Sequence, residues 1–134
     1  MKHILTPILV LVIGCGQSQI NWQQASNWRL YSITGNSILS ISVDSLSQLK
    51  SYPLRTDSMS GFLDSVHQLP ADVKPAWMGG KVATCIYNGK TRKILISDYA
   101  GYFYDQLSGS YFQLSPQKKD EWMDYIDGCV LRLL

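Results

Sequence analysis

The stretch VATCIYNGKTRKILIS, residues 82–97, decides the fold class of this chain. Two runs rich in β-branched and aliphatic residues, 82–87 and 91–97, flank the dipeptide Asn88-Gly89. An Asn-Gly pair between two such runs is the strongest short-range signal of a β-hairpin, because both turn residues need a positive φ. The sequence therefore predicts two antiparallel strands joined by a tight turn.

A second hairpin is predicted on the C-terminal side, where residues 102–104 and 111–114 flank the turn sequence QLSG at 106–109. If Tyr104 lies opposite Tyr111, then Phe103 lies opposite Phe112 on the other face of the sheet. This pairing predicts one face rich in tyrosine and one rich in phenylalanine.

A third hairpin is predicted on the N-terminal side. Residues 28–34 alternate between apolar and polar positions, Gly35-Asn36 is a turn pair, and apolar residues then alternate with serines. The apolar positions of this last run are Leu39, Ile41 and Val43.

Three helices are predicted around these strands. The first follows Asp44 and ends before Pro53. The second covers 58–69, capped by Asp57 or Ser58, with a stripe at Met59, Phe62, Leu63 and Val66. The third begins at Ser115-Pro116 and carries the stripe Trp122, Met123, Ile126, Cys129 and Val130. The predicted fold is α+β, with an antiparallel sheet of about six strands built from hairpins, two to three helices packed on it, and a C-terminal helix.

Composition limits the function classes. The chain has 134 residues, of which 46% are hydrophobic and 16% charged, with a formal net charge of +2. These values are typical of one globular domain and give no electrostatic reason to expect nucleic acid as a partner.

The N-terminus carries a targeting signal. Residues 4–13 form an apolar run that is too short for a membrane-spanning helix, which needs about 20 residues. The run ends in Val12-Ile13-Gly14-Cys15, which resembles the lipobox of bacterial lipoproteins. The resemblance implies that residues 1–14 are a signal peptide and that Cys15 receives a diacylglyceryl group and further acyl chains such as palmitate. An ordinary signal peptide with an incidental cysteine is the alternative.

The resemblance also bears on localisation. Residues 15–27 are polar and are predicted to tether a single domain, 28–134, to the membrane. Gly16 stands where some lipoproteins carry an aspartate that retains them in the inner membrane. The expected place is therefore the cell envelope, in the outer membrane facing the periplasm.

Few residues are candidates for catalysis, and no enzyme, metal or cofactor is predicted. His67, the single histidine after the signal peptide, is interpreted as a solvated helix residue rather than a base or metal ligand. Asp98 and Asp105 are interpreted as turn residues rather than a catalytic carboxylate pair. The basic residues Lys90, Arg92 and Lys93 are expected at a solvated hairpin tip.

Two cysteines remain in the domain. Cys85 lies mid-strand and Cys129 lies on the apolar stripe of the last helix, so both could reach one core. An even pair in an oxidising compartment is a candidate disulfide. Two buried free thiols acting as small hydrophobes are the alternative.

Aromatic residues are the main candidates for partner binding, because tyrosine and tryptophan bury a large rigid surface at low entropic cost. The candidate partner-binding residues are Tyr99, Tyr102, Tyr104, Tyr111, Trp77 and Met78. The alternatives are that these tyrosines suit an exposed strand, that the 58–69 helix covers them, or that Trp77-Met78 belongs to the core.

The expected function is that of a membrane-anchored envelope lipoprotein whose domain binds another protein. In layout alone the chain resembles small inhibitory lipoproteins that protect the periplasm. That likeness implies an inhibitor or immunity protein against an exported enzyme or toxin. An accessory structural subunit of an envelope complex is the alternative.

Overall fold

Seven strands form one antiparallel sheet in the computed structural model, which describes residues 20–33, 37–77 and 80–133. In chain order the strands are β1 (Ser26–Tyr31), β2 (Ser51–Pro53), β3 (His67–Gln68), β4 (Lys81–Tyr87), β5 (Lys90–Ile96), β6 (Tyr102–Asp105) and β7 (Ser110–Gln113). Their order across the sheet is β2-β1-β4-β5-β6-β7-β3. The helices are α1 (Ser37–Ser40), α2 (Val43–Leu46), α3 (Thr56–Leu63) and α4 (Pro116–Leu131). The predicted α+β class is confirmed, with seven strands rather than about six.

The two central hairpins have the predicted register. Asn88 and Gly89 connect β4 to β5 and have φ values of 52° and 77°, the left-handed conformation that a two-residue hairpin turn requires. Between β6 and β7, Tyr104 pairs with Tyr111 and Phe103 pairs with Phe112, as the alternation predicts.

Each face of the sheet has its own apolar cluster. We call the side on which α3 and α4 pack the α4 face; its cluster includes Phe103, Phe112 and the fully buried Trp122. The opposite side, the α1 face, is covered in part by α1, α2 and Trp77, which pack with Val82 and Leu95. The phenylalanines therefore face the long helices and the paired tyrosines do not.

The predicted N-terminal hairpin is wrong in its second half. Residues 37–40 and 43–46 form α1 and α2, and β1 pairs instead with β2 and β4. Two helical turns let Ile38 and Leu46 bury their side chains against the sheet, which a single strand turned back on β1 does not do. The Oγ atom of Ser42 accepts a hydrogen bond from the backbone N–H of Ser45, so Ser42, not Asp44, caps α2. The predicted turn at 35–36 lies outside the described residues.

The second predicted helix is shorter than 58–69. It begins at Thr56 and ends at Leu63, and residues 67–68 form the edge strand β3. The backbone N–H of Leu69 donates to the carbonyl of Tyr111 at 2.9 Å, so pairing with β7 replaces further helical hydrogen bonds. His67 is thus an exposed strand residue and not a helix residue.

The C-terminal helix agrees with its prediction. It begins at Pro116 after Ser115, and its stripe packs on the core with Trp122, Ile126 and Cys129 buried. Within the described ranges, no helix has both the length and the apolar character needed to cross a bilayer.

The predicted tether is too long. Residues 22–24 form a 3₁₀ helix, and β1 begins at Ser26. Trp22 is only 3% exposed and packs against Trp28 and Phe112. The residues from Trp22 onwards therefore belong to the domain, because burying an indole outweighs the polar character of its neighbours.

Candidate functional site

A partly open cavity, which we call the aromatic hollow, lies on the α1 face of the sheet, between α1 and the strands β6 and β7. Its volume is about 290 Å³. We define the aromatic hollow by its lining residues, which are Leu39, Trp77, Leu95, Tyr104, Gln106 and Tyr111.

Three aromatic rings form one side of the hollow. The ring centroids of Tyr104 and Tyr111 are 4.6 Å apart, and those of Trp77 and Tyr111 are 6.0 Å apart. Both distances fall in the range of favourable aromatic contacts. All three residues are half-buried, so each ring packs on the domain while part of it faces solvent.

The opposite side of the hollow is fixed by hydrogen bonds to backbone carbonyls of α1 and of Ile41, which follows it. Lys93 Nζ donates to the carbonyls of Leu39 at 3.3 Å and Ile41 at 2.8 Å, and Gln106 Nε2 donates to the Leu39 carbonyl at 3.1 Å. Lys93 is only 6% exposed, and burial lowers its pKa. These bonds hold α1 against the sheet and so set the width of the hollow.

Two exposed leucines extend the apolar surface beyond the hollow. Leu39 is 59% exposed and Leu107, in the β6–β7 turn, is 61% exposed. Gln106 links them, since it precedes Leu107 and donates to the backbone of Leu39. Leu39 therefore lines the hollow directly, and Leu107 follows its lining residue Gln106 in the exposed β6–β7 turn.

The structure brings together three of the six predicted binding residues, namely Trp77, Tyr104 and Tyr111. Tyr102 lies on the same face of the sheet but outside the hollow, and Tyr99 is 54% exposed in the turn after β5. Met78 lies outside the described residues. The predicted 58–69 helix does not cover this surface, because α3 packs on the α4 face through Phe62.

Three lining residues, Leu39, Leu95 and Gln106, are not among the predicted binding residues, and Leu95 is predicted only as a residue of the second strand of the 82–97 hairpin. Leu39 was expected on a strand, and its place in the hollow depends on the α1 helix. Gln106 was expected only as a turn residue, although its position next to Leu107 in an exposed turn is a signal that could have identified it.

The two aspartates lie at separate places: Asp98 is in the connection between β5 and β6, and Asp105 is the last residue of β6. Each has its own cation. Asp98 accepts from the backbone N–H of Gly80 at 3.1 Å and forms an ion pair with Lys81. Asp105 is fully buried and forms an ion pair with Arg92.

The prediction of a solvated basic hairpin tip is wrong for two of its three residues. Lys90 is exposed, but Lys93 is buried and Arg92 lies beneath aromatic rings. The Arg92 guanidinium carbon is 5.9 Å from the Trp22 ring centroid and 5.5 Å from that of Tyr87. The hydrogen bond from Arg92 to Asp105 raises the arginine pKa. Both cations therefore have structural partners.

Cys85 and Cys129 are both buried, and both are free thiols. The structure therefore agrees with the alternative interpretation, in which the two cysteines are small core residues with free thiols, and not with the candidate disulfide. Burial raises the pKa of Cys85 to about 12 and also raises that of Cys129. Both thiols remain protonated at neutral pH and are poor nucleophiles.

Comparisons of the chain with protein families, with characterised proteins and with solved structures gave no match. In the part of the chain that the structure describes, no group of three or more histidine, cysteine, aspartate or glutamate side chains could hold a metal ion. The aromatic hollow is therefore the site on which a functional proposal rests.

Proposed function

We propose that this chain is a lipid-anchored protein of the bacterial envelope whose domain binds another protein through the aromatic hollow. Its role in this proposal is that of an inhibitor or immunity protein against an exported enzyme or toxin. The observation that carries the proposal is the combination of three partly open aromatic rings with the exposed side chains of Leu39 and Leu107.

The geometry of the hollow favours a protein partner. Binding energy at protein interfaces concentrates in pockets that take one large side chain and are surrounded by residues that exclude water. Tyr104, Tyr111 and Trp77 form such a pocket, Leu39 lines it, and the exposed Leu107 follows its lining residue Gln106. The rings are already packed on one another, so little conformational entropy is lost when a partner binds.

The anchor in this proposal is Cys15, and the expected location is the outer membrane facing the periplasm. Two or three acyl chains give stable attachment where one does not, because each buried CH₂ group contributes about 0.8 kcal/mol. Membrane fractionation and intact mass spectrometry of the native chain and of Cys15→Ala test this step. We expect an acylated N-terminus only in the native chain; Cys15→Ala protein that still sediments with membranes would contradict it.

Site-specific photocrosslinking in the native host tests the binding surface. A benzoylphenylalanine at Leu107 should form one discrete adduct, whereas the same residue at Leu131, which is 68% exposed on α4, should not. Tyr111→Ala should weaken binding by about 30-fold, the loss typical of an interface hot spot. Tyr52→Ala, which removes a half-buried tyrosine on β2, is the matched control and should leave the adduct unchanged.

The identity of the adduct distinguishes the two candidate roles. An exported enzyme or toxin supports the inhibitor, and a subunit of an envelope assembly supports the accessory role instead. Equal adducts from Leu107 and Leu131, or an adduct unaffected by Tyr111→Ala, would exclude the aromatic hollow as the binding surface.

A further inference from the structure

The described lining of the aromatic hollow carries no formal charge. It consists of three aromatic residues, two leucines and one glutamine. Asp105, the carboxylate next to Tyr104 in the chain, lies on the other face of the sheet, where it is fully buried and paired with Arg92. A charged side chain that entered the hollow would therefore find no opposite charge among these six residues.

The backbone carbonyl that borders the hollow is already occupied. A carbonyl oxygen has two lone pairs, and that of Leu39 accepts from both Lys93 Nζ at 3.3 Å and Gln106 Nε2 at 3.1 Å. Because both donors share this oxygen, the Lys93 ammonium lies close to the lining residue Gln106. A second cation in the hollow would be repelled by this ammonium and would find no free lone pair on the Leu39 carbonyl.

The same chain contains a second group of aromatic rings that does hold a cation, and it differs from the hollow in one respect. On the α4 face, the Arg92 guanidinium carbon lies 5.9 Å from the Trp22 ring centroid and 5.5 Å from that of Tyr87. There the buried carboxylate of Asp105 compensates the charge. The hollow offers aromatic rings without a carboxylate, so a lysine or arginine side chain would lose hydration without gaining an ionic partner.

The size and the rings of the hollow favour an aromatic occupant. Its volume is about 290 Å³, whereas an apolar cavity of about 150 Å³ is enough to hold benzene. Contacts between aromatic rings also contribute binding energy beyond that of the buried area, which corresponds to about a two- to tenfold gain in affinity. An aromatic side chain can make such contacts with Trp77, Tyr104 and Tyr111, and a leucine cannot.

We propose that the partner presents an uncharged aromatic side chain, which enters the aromatic hollow between Leu39 and the three rings. This inference rests on the proposed function, in which the hollow binds another protein, and it specifies the chemical group that is recognised. A partner that offers a lysine or arginine at this position is excluded by the uncharged lining and by the neighbouring ammonium of Lys93.

Nuclear magnetic resonance of the ¹⁵N-labelled full-length chain in detergent tests the inference, with capped amino-acid amides as probes. The indole N–H signal of Trp77 is the readout, because the other three tryptophans are buried; loss of one indole signal in Trp77→Phe identifies it. We expect N-acetyl-tryptophanamide to shift this signal saturably. N-acetyl-leucinamide should bind about two- to tenfold more weakly, and N-acetyl-argininamide more weakly than either.

Two variants and one control assign the preference to the rings of the hollow. Tyr111→Leu keeps apolar bulk but removes one ring, so it should reduce the preference for the tryptophan amide over the leucine amide. Trp77→Leu does the same from a different part of the chain, with the side-chain amide signal of Gln106 as its readout. Tyr52→Leu, which replaces a half-buried tyrosine on β2, should leave all three affinities unchanged.

Each failure has its own meaning. The inference is overturned by the absence of a saturable shift, by equal binding of the tryptophan and leucine amides, or by an arginine amide that binds as tightly as the tryptophan amide. A preference unchanged in both Tyr111→Leu and Trp77→Leu would overturn it as well. A protein adduct from Leu107 without an aromatic preference would keep the proposed function and reject this occupant. An aromatic preference without any protein adduct would support the recognised group and reject the protein partner.

Discussion

Asp105 is fully buried, and its carboxylate is held by Arg92 on one side and by Ser108 on the other. The Ser108 hydroxyl donates to Asp105 Oδ2 at 2.6 Å, and the Ser108 backbone N–H donates to the same oxygen at 3.2 Å. Because one aspartate satisfies both a buried cation and the β6–β7 turn, it fixes the turn relative to β5. This turn presents Leu107, so a structural ion pair also positions the proposed binding surface.

Asp105→Asn should therefore be strongly destabilising. The amide keeps the shape of the side chain but leaves Arg92 without a counter-ion, which we expect to lower the free energy of unfolding by about 3 kcal/mol. Urea denaturation measures this change. Asp57→Asn is the matched control, since the Arg55–Asp57 pair is exposed and screened by solvent, so its loss should have a much smaller effect on stability. Equal effects for the two variants would show that Arg92 is compensated by another group.

Cys85 should make stability fall at high pH. Burial, and secondarily Asp105, raises its pKa from the ordinary value of 9.0 to about 12. Below pH 9 the thiol is protonated in both the folded and the unfolded state. Above pH 9 only the unfolded chain loses this proton, so the free energy of unfolding should fall by up to about 1.4 kcal/mol per pH unit until the folded pKa is reached.

Urea denaturation between pH 8 and 11, roughly the window set by these pKa values, measures the effect. Cys85→Ala is the control, because all other groups titrate alike in both proteins and cancel in the comparison. The native chain should show the steeper decline. Parallel curves for the two proteins would mean that the Cys85 thiol ionises in the folded state as readily as in the unfolded one.

The sequence pattern predicts that Arg92 and Lys93 are solvated at the hairpin tip, and this prediction is wrong for both residues. Arg92 and Lys93 follow a turn in a charged run, a pattern that is typical of a solvated hairpin end. Their burial depends on Trp22 and on α1, which lie 70 and 54 residues away in the chain. Periodicity reports local structure only, and it carries no information about which distant element covers a strand.

At the scale of secondary structure, Gly80 immediately precedes β4 and lies in close contact with its neighbours. Its φ is +147°, and a Cβ atom there would lie 2.8 Å from Ile38 Cδ1 and 3.3 Å from the carbonyl oxygen of Ile96. A side chain at this point would push the flexible end of Ile38 aside and would crowd the carbonyl oxygen of Ile96.

Gly80→Ala should lower the free energy of unfolding by about 2 kcal/mol, mainly through the unfavourable backbone conformation and secondarily through crowding of the Ile96 carbonyl oxygen. Gly61→Ala is the matched control in α3, where a Cβ atom meets nothing within 4 Å. It should raise stability by about 0.5 to 1 kcal/mol, because alanine is the better helix former. Thermal and urea unfolding of both variants measure these opposite signs; a stabilised Gly80→Ala would contradict the geometry.

The two central hairpins and the C-terminal helix could be predicted because local signals define them. Asn88-Gly89, the alternation through Tyr104 and Tyr111, and the start at Ser115-Pro116 each act within a few residues. Residues 37–43 could not be predicted in the same way, although the helix predicted after Asp44 is present in shortened form as α2. The apolar positions of residues 39–43 fit a strand in alternation, and only packing of Ile38 against the sheet favours a helical turn instead.

For the molecule as a whole, the sequence predicts that the phenylalanines and tyrosines of β6 and β7 lie on opposite faces of the sheet. It does not predict which residues from other elements complete the lining of the aromatic hollow. Alternation alone assigned Phe112 and Tyr111 to opposite faces. Closure requires Trp77 from a loop and Leu39 from α1, and no pattern in the sequence relates these residues to β7.

The free thiols lead to a prediction for the whole domain. Since Cys85 and Cys129 are not bridged, a reducing agent should change Tm by less than about 1 °C, where loss of a native disulfide commonly costs 2 to 5 kcal/mol. Differential scanning calorimetry with and without dithiothreitol measures this. Alkylation should label both cysteines only after unfolding; a large fall in Tm on reduction would show that the bridge exists in solution.

The two edge strands of the sheet, β2 and β3, determine how readily copies of this domain pair with one another at high concentration. β2 has three residues and includes Pro53, which lacks a backbone donor, and β3 has two residues. Short or proline-containing edges offer few free N–H and C=O groups for another chain to pair with. Such a domain can be held at high density beside its neighbours without templating strand exchange or fibril growth.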